Sequence, residues 1–172
     1  GGINVRTGRI GGFLCVALAF AVMAGSGRGG ERPKKAAGKV EEAFLHAARE
    51  GDIETVANLL SSDSSLAAAA DAEGLTALIL AVRTADKATV ELLISKHADV
   101  NRADKTGRTP LHYAAERGYF EVAKALVAAK AVVDARNAYG WTPLLSASCY
   151  GYRDIAELLQ ANGADVNAAN EF

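Results

Sequence analysis

The chain has 172 residues, of which 50% are hydrophobic and 23% are charged. This balance is typical of a globular domain and excludes a wholly disordered or membrane-embedded chain. Because 19 basic and 20 acidic side chains give a formal net charge of −1, no broad positive surface is available for a nucleic-acid backbone. We therefore expect no nucleic-acid partner.

Residues 1–24 have the features of a secretory signal peptide. Arg6 and Arg9 form a basic start, an unbroken apolar run occupies residues 13–24, and small residues follow. This order predicts cleavage after Ala24 and export to the periplasm or the medium. The alternative is a retained membrane anchor, although a bilayer span needs about 20 apolar residues. Cys15 lies in this leader, which leaves Cys149 without an internal disulfide partner after cleavage.

Residues 25–39 are rich in Gly, Arg, Lys and Ala and contain one proline. This composition predicts a flexible basic linker. A basic linker can touch an anionic membrane surface, but we interpret this one as a solvated spacer. Membrane association is therefore expected only if the leader is retained.

Three series of residues in the rest of the chain share a period of 33 residues. The first is a glycine followed two positions later by threonine, at Gly74, Gly107 and Gly140. The second is a glycine at 118 and 151, with Ala85 at the same place one unit earlier. The third ends each unit, as Asp99-Val100-Asn101, Val132-Val133-Asp134 and Asp165-Val166-Asn167. A shared period of this length indicates a repeat array.

The fullest unit reads Asp-Lys-Thr-Gly-Arg-Thr-Pro-Leu-His-Tyr-Ala-Ala-Glu-Arg-Gly from Asp104 to Gly118. It resembles the ankyrin repeat, a 33-residue unit that carries Thr-Pro-Leu-His-x-Ala. The resemblance covers residues 40–172. It implies an all-α solenoid of stacked helix-turn-helix units joined by β-turn loops, at about 40–70, 71–103, 104–136 and 137–169, with a fifth unit beginning at 170.

Several motif residues are expected to be structural. Thr109 before Pro110 predicts a helix start, since threonine caps free amides and proline tolerates the first turn. Gly118 predicts the end of that helix. The resemblance implies that His112 bonds with Thr109 and with backbone of the next unit. The glycines of both series join this structural set, namely Gly74, Gly107, Gly118, Gly140 and Gly151.

No group of residues in the sequence predicts catalysis or a cofactor. His46 and His97 have no second ligand at the spacing of a metal site. Cys149 has no histidine in its unit to serve as a base, so we interpret it as a surface thiol, with pairing between two molecules as a minor alternative. We therefore expect a protein that is not an enzyme and holds no metal and no cofactor.

The resemblance implies that a protein partner binds the turn tips and the exposed side of the first helices, which line a concave surface. The corresponding residues here are Arg108, Glu116, Arg117, Tyr139, Trp141, Cys149 and Tyr150. Aromatic and arginine side chains dominate interface hot spots, so we predict a patch of aromatics flanked by arginines. The alternative is that Trp141 packs over a neighbouring turn.

The resemblance leaves several functions open. The first is an exported, monomeric adaptor or inhibitor. The second is an accessory factor for a periplasmic enzyme such as catalase, because some signal-bearing bacterial ankyrin proteins of this layout are associated with catalase. The others are the binding part of a longer enzyme and a secreted effector. Because the chain lacks an initial Met and ends where a fifth unit begins, we expect it to be part of a longer protein.

Overall fold

A computed structural model of the chain describes residues 34–168. The predicted leader, residues 25–33 of the predicted linker and the start of the predicted fifth unit lie outside the described residues. Within the described range, no helix has the length and apolar character needed to cross a membrane.

Residues 34–168 contain eight α-helices, arranged as four helix–turn–helix units, and no named strand. Units 1 to 4 pair α1 (Lys34–Glu50) with α2 (Ile53–Ser62), α3 (Ala77–Arg83) with α4 (Lys87–Ser95), α5 (Pro110–Arg117) with α6 (Phe120–Ala128), and α7 (Pro143–Cys149) with α8 (Arg153–Ala161). This arrangement confirms the predicted all-α solenoid.

The helices stack in two layers. The first helices contact one another in the order α1, α3, α5 and α7, and the second helices follow the same order, α2, α4, α6 and α8. Because each unit covers the apolar face of its neighbour, one core runs along the whole array. Stability is therefore shared between units rather than held by any one of them.

The two layers are buried to different extents. In α3, every residue from Ala77 to Val82 is buried. In α6, by contrast, Val122, Ala123 and Leu126 form a single buried stripe. The first helices therefore lie between the second helices and the turns, and their small alanine side chains allow the close approach that burial on several sides requires.

Capping threonines fix where the first helices begin. The Thr76 hydroxyl accepts a hydrogen bond from the Ile79 amide at 3.2 Å, and Thr142 does the same for Leu145 at 3.2 Å. Thr109 occupies the equivalent place before Pro110. Such caps are each worth about 1 kcal/mol. These caps fix the residue at which each of these first helices begins.

The first helix begins earlier than the composition predicted. Helix α1 starts at Lys34, so residues 34–39 of the predicted linker are helical, and the linker prediction needs correction over those residues. Alanine and lysine are good helix formers, and Val40 is only 3% exposed within the core. Val40 therefore holds α1 against the core, and amino-acid composition alone does not show that this residue is buried.

The loop between units 1 and 2, residues 63–76, contains its own short element. Residues Ser64–Ala68 form a 3₁₀ helix. The Asp63 carboxylate accepts a hydrogen bond from the Ser65 amide at 3.1 Å, which caps this element. Leu66 is 4% exposed and joins the core. The loop is therefore packed against the array rather than extended into solvent.

Left-handed residues follow most of the helices, whereas α2 ends at Asp63 with an extended backbone. The first helices are followed by Gly51, Ala85, Gly118 and Gly151, which all have positive φ. After the second helices, His97 and Lys130 adopt φ of 62° and 69°. A side chain in this region costs roughly 1–2 kcal/mol. Units 2 and 3 thus hold strain at these positions. Ala85 stands where the other units have Gly51, Gly118 and Gly151, and His97 and Lys130 stand where unit 4 has Gly163.

Candidate functional site

All seven residues predicted to bind a partner reach the surface. Tyr139 and Tyr150 are 52% and 62% exposed, and Arg117 and Cys149 are also exposed. Arg108, Glu116 and Trp141 are half-buried. These residues come from the turns and first helices of units 3 and 4, and we refer to this surface as the turn face.

Turn residues and helix ends of the same unit are neighbours on the turn face. In unit 3, Arg108 Nη1 lies 3.2 Å from Glu116 Oε2. Trp141 and Cys149 occupy the same two positions one 33-residue period later. In unit 3, the two predicted contact residues pair with each other, which is worth about 0–1 kcal/mol at a partly exposed site.

Neighbouring units are joined along the turn face by backbone and side-chain contacts. The Arg117 guanidinium donates to the Arg83 carbonyl at 3.5 Å. Tyr150 occupies the position of Arg117 one unit later, and its ring centroid lies 6.5 Å from that of Tyr152. Tyr150 thus stands where unit 3 has an arginine, and Tyr152 stands where unit 3 has Tyr119.

The turn that carries Tyr139 and Trp141 is internally braced. Asn137 Oδ1 accepts hydrogen bonds from the Tyr139 amide at 2.9 Å and from the Trp141 amide at 3.1 Å. The Ala138 amide donates to the Thr106 carbonyl of the previous turn at 2.9 Å. A braced turn loses little conformational entropy when a partner binds. The aromatic rings are therefore presented from a fixed backbone.

Glycine allows successive turns to approach closely. Gly107 has φ of 77°, and a Cβ added there would lie 2.9 Å from the Ala138 amide nitrogen. A side chain at this position would therefore push apart the turns of units 3 and 4. All five glycines predicted to be structural have φ between 73° and 82°.

His112 connects the start of α5 to the next unit. Its Nδ1 accepts a hydrogen bond from the Thr109 amide at 3.2 Å and lies 2.9 Å from the Thr109 hydroxyl. Since Nδ1 is an acceptor, Nε2 carries the proton and donates to the Trp141 carbonyl at 2.9 Å. Burial lowers the pKa of His112, and the bond to Trp141 opposes that shift. The imidazole is therefore neutral and serves a structural purpose.

A second polar cluster surrounds Tyr113, a residue that the sequence did not single out. The Tyr113 hydroxyl donates to Asp104 Oδ2 at 2.6 Å. Asp104 Oδ1 accepts from the amides of Thr106 and Arg108 at 2.7 and 3.0 Å. The repeat pattern did not predict the contact between Tyr113 and Asp104, because the position of Tyr113 is occupied by Leu80 in unit 2 and by Ser146 in unit 4.

Tyr113 and Asp104 shift each other's pKa. Burial, with the hydrogen bond to Asp104 and its negative charge, raises the pKa of Tyr113 to about 12. Partial burial alone would raise the pKa of Asp104, but the hydrogen bonds from Tyr113, Thr106 and Arg108 together lower it below its ordinary value. Asp104 is thus an anion whose carboxylate oxygens already accept hydrogen bonds from Tyr113, Thr106 and Arg108.

A cleft of about 280 Å³ opens beside Tyr113 on the turn face. Its walls are Glu73 and Leu75 from unit 2 and Asp104, Lys105, Thr106 and Arg108 from unit 3, around the ring of Tyr113. The guanidinium carbons of Arg83 and Arg108 lie 5.9 and 5.7 Å from the centroid of that ring. Both distances are within the range of a cation–π interaction. We call this opening the Tyr113 cleft.

Among residues 34–168, no group of three or more His, Cys, Asp or Glu side chains is placed to hold a metal ion. His46 and His97 are both exposed, and His97 adopts a left-handed backbone after α4. Cys149 is an exposed free thiol.

Comparison with known proteins assigns the repeat. A family model described as ankyrin repeats (3 copies) matches residues 30–104 and 86–170. The two matches overlap in unit 2 and together extend over all four helical units. No curated protein matches the sequence.

Proposed function

The chain belongs to the ankyrin-repeat family, and from that premise we propose that it binds another protein through the turn face after export from the cytoplasm. Ankyrin repeats are protein-interaction modules, which is the coarse function that family membership supports. The partner, the binding residues and the compartment are the finer parts of the proposal.

The observation that carries the choice of surface is the exposure of aromatic side chains on a braced turn. Tyr139 and Tyr150 expose more than half of their surface, and Trp141 stands between them in the chain as a half-buried residue. Aromatic side chains that are held rigidly in advance contribute most to interface hot spots. Arg117 lies one unit away, at the position equivalent to Tyr150.

The first experiment compares capture of a partner by variant proteins. Full-length wild type and the Trp141→Ala/Tyr150→Ala double variant are used as baits in periplasmic extract and culture medium, with captured proteins identified by mass spectrometry. Loss of one specific partner, with thermal melting little changed, supports the proposed surface. Val132→Ala is the control, because Val132 is a 52% exposed apolar residue in a loop after α6.

Two results of this experiment would overturn the proposal. Capture that is unchanged in the double variant while its melting temperature falls would assign Trp141 and Tyr150 to stability. Equal loss of capture in Val132→Ala would show that the assay responds to any lost apolar side chain. The identity of a captured protein also separates an adaptor from an accessory factor for an enzyme of the same compartment.

Export is supported by the basic, apolar and small-residue segments of residues 1–27. If the leader is cleaved after Ala24, the exported protein begins at Gly25. Mass spectrometry of the intact protein, recovered separately from periplasm and membrane, measures this directly. An intact leader in the membrane fraction would replace the exported form with an anchored one.

A further inference from the structure

The turn after α8 contains the sequence Asn162-Gly163. Of the asparagines in the sequence, Asn162 is the one that is followed directly by glycine. Both residues are exposed. Because glycine has no side chain, nothing attached to its own Cα shields its backbone nitrogen. The turn therefore places a side-chain amide next to an unshielded nitrogen nucleophile, in contact with water.

The side-chain amide of Asn162 holds less structure together than two other asparagine amides do. Asn137 Oδ1 accepts hydrogen bonds from two backbone amides of its own turn, and Asn101 Oδ1 accepts one from the loop of the next unit. Asn162 Nδ2 donates one exposed hydrogen bond, to the Leu158 carbonyl at 2.8 Å within the last turn of α8. Rotation of the Asn162 side chain breaks this bond without separating two units.

The backbone nitrogen of Gly163 is partly protected in the folded turn. Its N–H donates to the Gln160 carbonyl at 3.0 Å, so the nitrogen can react only while this bond is open. The bond lies at the end of a helix, where local opening needs less free energy than opening of the core. Within residues 34–168, unit 4 also has a neighbouring unit on one side only. Reaction therefore requires a brief opening of this turn and not unfolding of the array.

We propose that Asn162 is a site of non-enzymatic deamidation. The Gly163 nitrogen attacks Cγ of Asn162 and forms a new N–Cγ bond, which closes a five-membered succinimide ring. The Cγ–Nδ2 bond breaks, and Nδ2 leaves as ammonia with the proton from the Gly163 nitrogen. Water then adds to one of the two ring carbonyl carbons and breaks its bond to that nitrogen. The products are aspartate or isoaspartate at position 162, and nothing is oxidised or reduced.

Both products change the end of α8. Each adds a negative charge at a helix C-terminus, where the charge is unfavourable, and each removes the donor to Leu158. Isoaspartate also adds one carbon to the backbone two residues before Ala164. That residue is 7% exposed within the core, and its amide donates to the Leu159 carbonyl at 3.0 Å. Deamidation should therefore loosen the packing at the end of unit 4.

The test incubates the full chain in mildly alkaline buffer, because the attacking nitrogen reacts in its deprotonated form. Samples taken over time are digested with trypsin and analysed by mass spectrometry. Fragmentation must locate the change, since Asn162 and Asn167 lie in the same tryptic peptide, residues 154–172. We expect a mass gain of about 1 Da at Asn162, with aspartate and isoaspartate separated by chromatography.

The other asparagines and a short peptide provide the comparison. Asn101 and Asn137 should remain unchanged while Asn162 is converted, because both are followed by residues with side chains. A synthetic peptide of residues 158–165 gives the rate without the folded turn. If Asn162 stays intact in the folded chain while this peptide is fully converted, the proposal is overturned. Conversion of Asn101 or Asn137 as fast as that of Asn162 would also overturn it.

Two variants identify the reacting groups. Gly163→Lys places a side chain beside the attacking nitrogen, and unit 3 already has Lys130 at this position with φ of 69°. A Cβ at Gly163 would meet nothing within 4 Å, so the fold should accept this change. Asn162→Gln lengthens the side chain and prevents closure of the five-membered ring. Both variants should lose the mass gain at position 162, and Asn167→Gln, the control, should keep it. A gain that persists in Gly163→Lys would contradict attack by this nitrogen.

Hydrogen exchange measures the structural consequence and does not depend on capture of any partner. We expect the Ala164 amide to exchange faster in the aged, isoaspartate-containing protein than in fresh protein, since its bond to Leu159 is disturbed. The Val90 amide, in the core of unit 2, should exchange at the same rate in both samples. Unchanged exchange at Ala164 after full conversion would refute the predicted loosening of unit 4.

Discussion

The imidazole of His112 donates a hydrogen bond from Nε2 to the carbonyl oxygen of Trp141, 2.9 Å away. This bond joins the first helix of unit 3 to the turn of unit 4. The backbone of Trp141, one of the aromatic residues of the turn face, is therefore held by a buried histidine of the previous unit. Changes at His112 should act on both the stability of the array and the position of Trp141.

The first prediction concerns pH. Burial lowers the pKa of His112 below its ordinary value of 6.5, so the unfolded chain takes up the proton first as pH falls. The contribution of His112 to the free energy of unfolding is thus complete above about pH 6.5 and declines as pH drops from there toward the folded-state pKa. Urea unfolding from about pH 8 to about pH 5 measures this decline.

His112→Leu provides the matched comparison, because unit 4 has Leu145 at the equivalent position. The variant should be less stable by about 1–2 kcal/mol at neutral pH, since the Thr109 amide loses its acceptor. The fall in its free energy of unfolding below about pH 6.5 should also be much smaller than in the wild type. His46→Gln, at an exposed histidine, should keep the decline. An identical pH dependence in wild type and His112→Leu would contradict this account.

The second prediction concerns backbone strain after α3. Ala85 adopts φ of 58° where units 1, 3 and 4 have glycine. Ala85→Gly should therefore raise the free energy of unfolding by about 0.5–1 kcal/mol, after allowance for the greater freedom of glycine in the unfolded chain. Ala125→Gly, inside helix α6, should lower it by about 0.5–1 kcal/mol. Chemical denaturation of the two variants gives the comparison, and a loss of stability in both would rule out relief of strain.

The third prediction separates strain from packing at two equivalent glycines. Gly118 and Gly151 have φ of 74° and 77°, but a Cβ at Gly118 would lie 2.4 Å from the Tyr152 ring, whereas one at Gly151 would meet nothing within 4 Å. Gly151→Ala should cost about 1–2 kcal/mol from strain alone. Gly118→Ala should cost at least about 1 kcal/mol more, because Tyr152 must move.

The variant Tyr152→Ala completes this comparison. In its background, the extra cost of Gly118→Ala over Gly151→Ala should disappear, since no ring remains for the new methyl group to contact. Thermal or urea unfolding of Gly118→Ala and Gly151→Ala, each with and without Tyr152→Ala, measures the coupling between Gly118 and the Tyr152 ring. If the extra cost persists without the Tyr152 ring, another contact of Gly118 must be responsible.

The fourth prediction concerns the hydrogen bond between Tyr113 and Asp104. Tyr113→Phe removes one of the donors that lower the pKa of Asp104, so that pKa should rise toward its ordinary value of 3.8. A lowered carboxylate pKa contributes stability above the unfolded-state value, and the contribution is lost as pH falls through the folded-state value. The variant should therefore be less stable by about 1 kcal/mol at neutral pH, with a smaller difference in acid.

Carboxyl ¹³C NMR follows the Asp104 titration directly, and urea unfolding at neutral and acid pH follows the stability. Tyr139→Phe is the control, since Tyr139 is 52% exposed on the turn. It should leave both the Asp104 titration and the free energy of unfolding unchanged. A shift of Asp104 in Tyr139→Phe equal to that in Tyr113→Phe would show that the shift does not report the Tyr113 hydrogen bond.

Much of the fold could be predicted from the sequence because it depends on short-range chemistry repeated at a fixed period. Thr76 and Thr142 cap the helices that directly follow them, and Gly118 ends the helix directly before it. The bond between Thr109 and His112 spans only three residues. The helix starts and ends lie within one unit and follow from residue type and spacing, whereas the Thr109–His112 bond was implied by the resemblance to the ankyrin repeat.

The sequence by itself determined the period of 33 residues, the start and end of α5, and the glycines that permit left-handed turns. The tertiary structure decided which side chains of different units meet. Arg83 approaches the ring of Tyr113 from the previous unit, and Tyr152 covers Gly118 from the next. The period predicts which positions align along the stack, but the distance and angle between units depend on how all their side chains pack together. For this reason, the Tyr113 cleft appears only when the units are stacked.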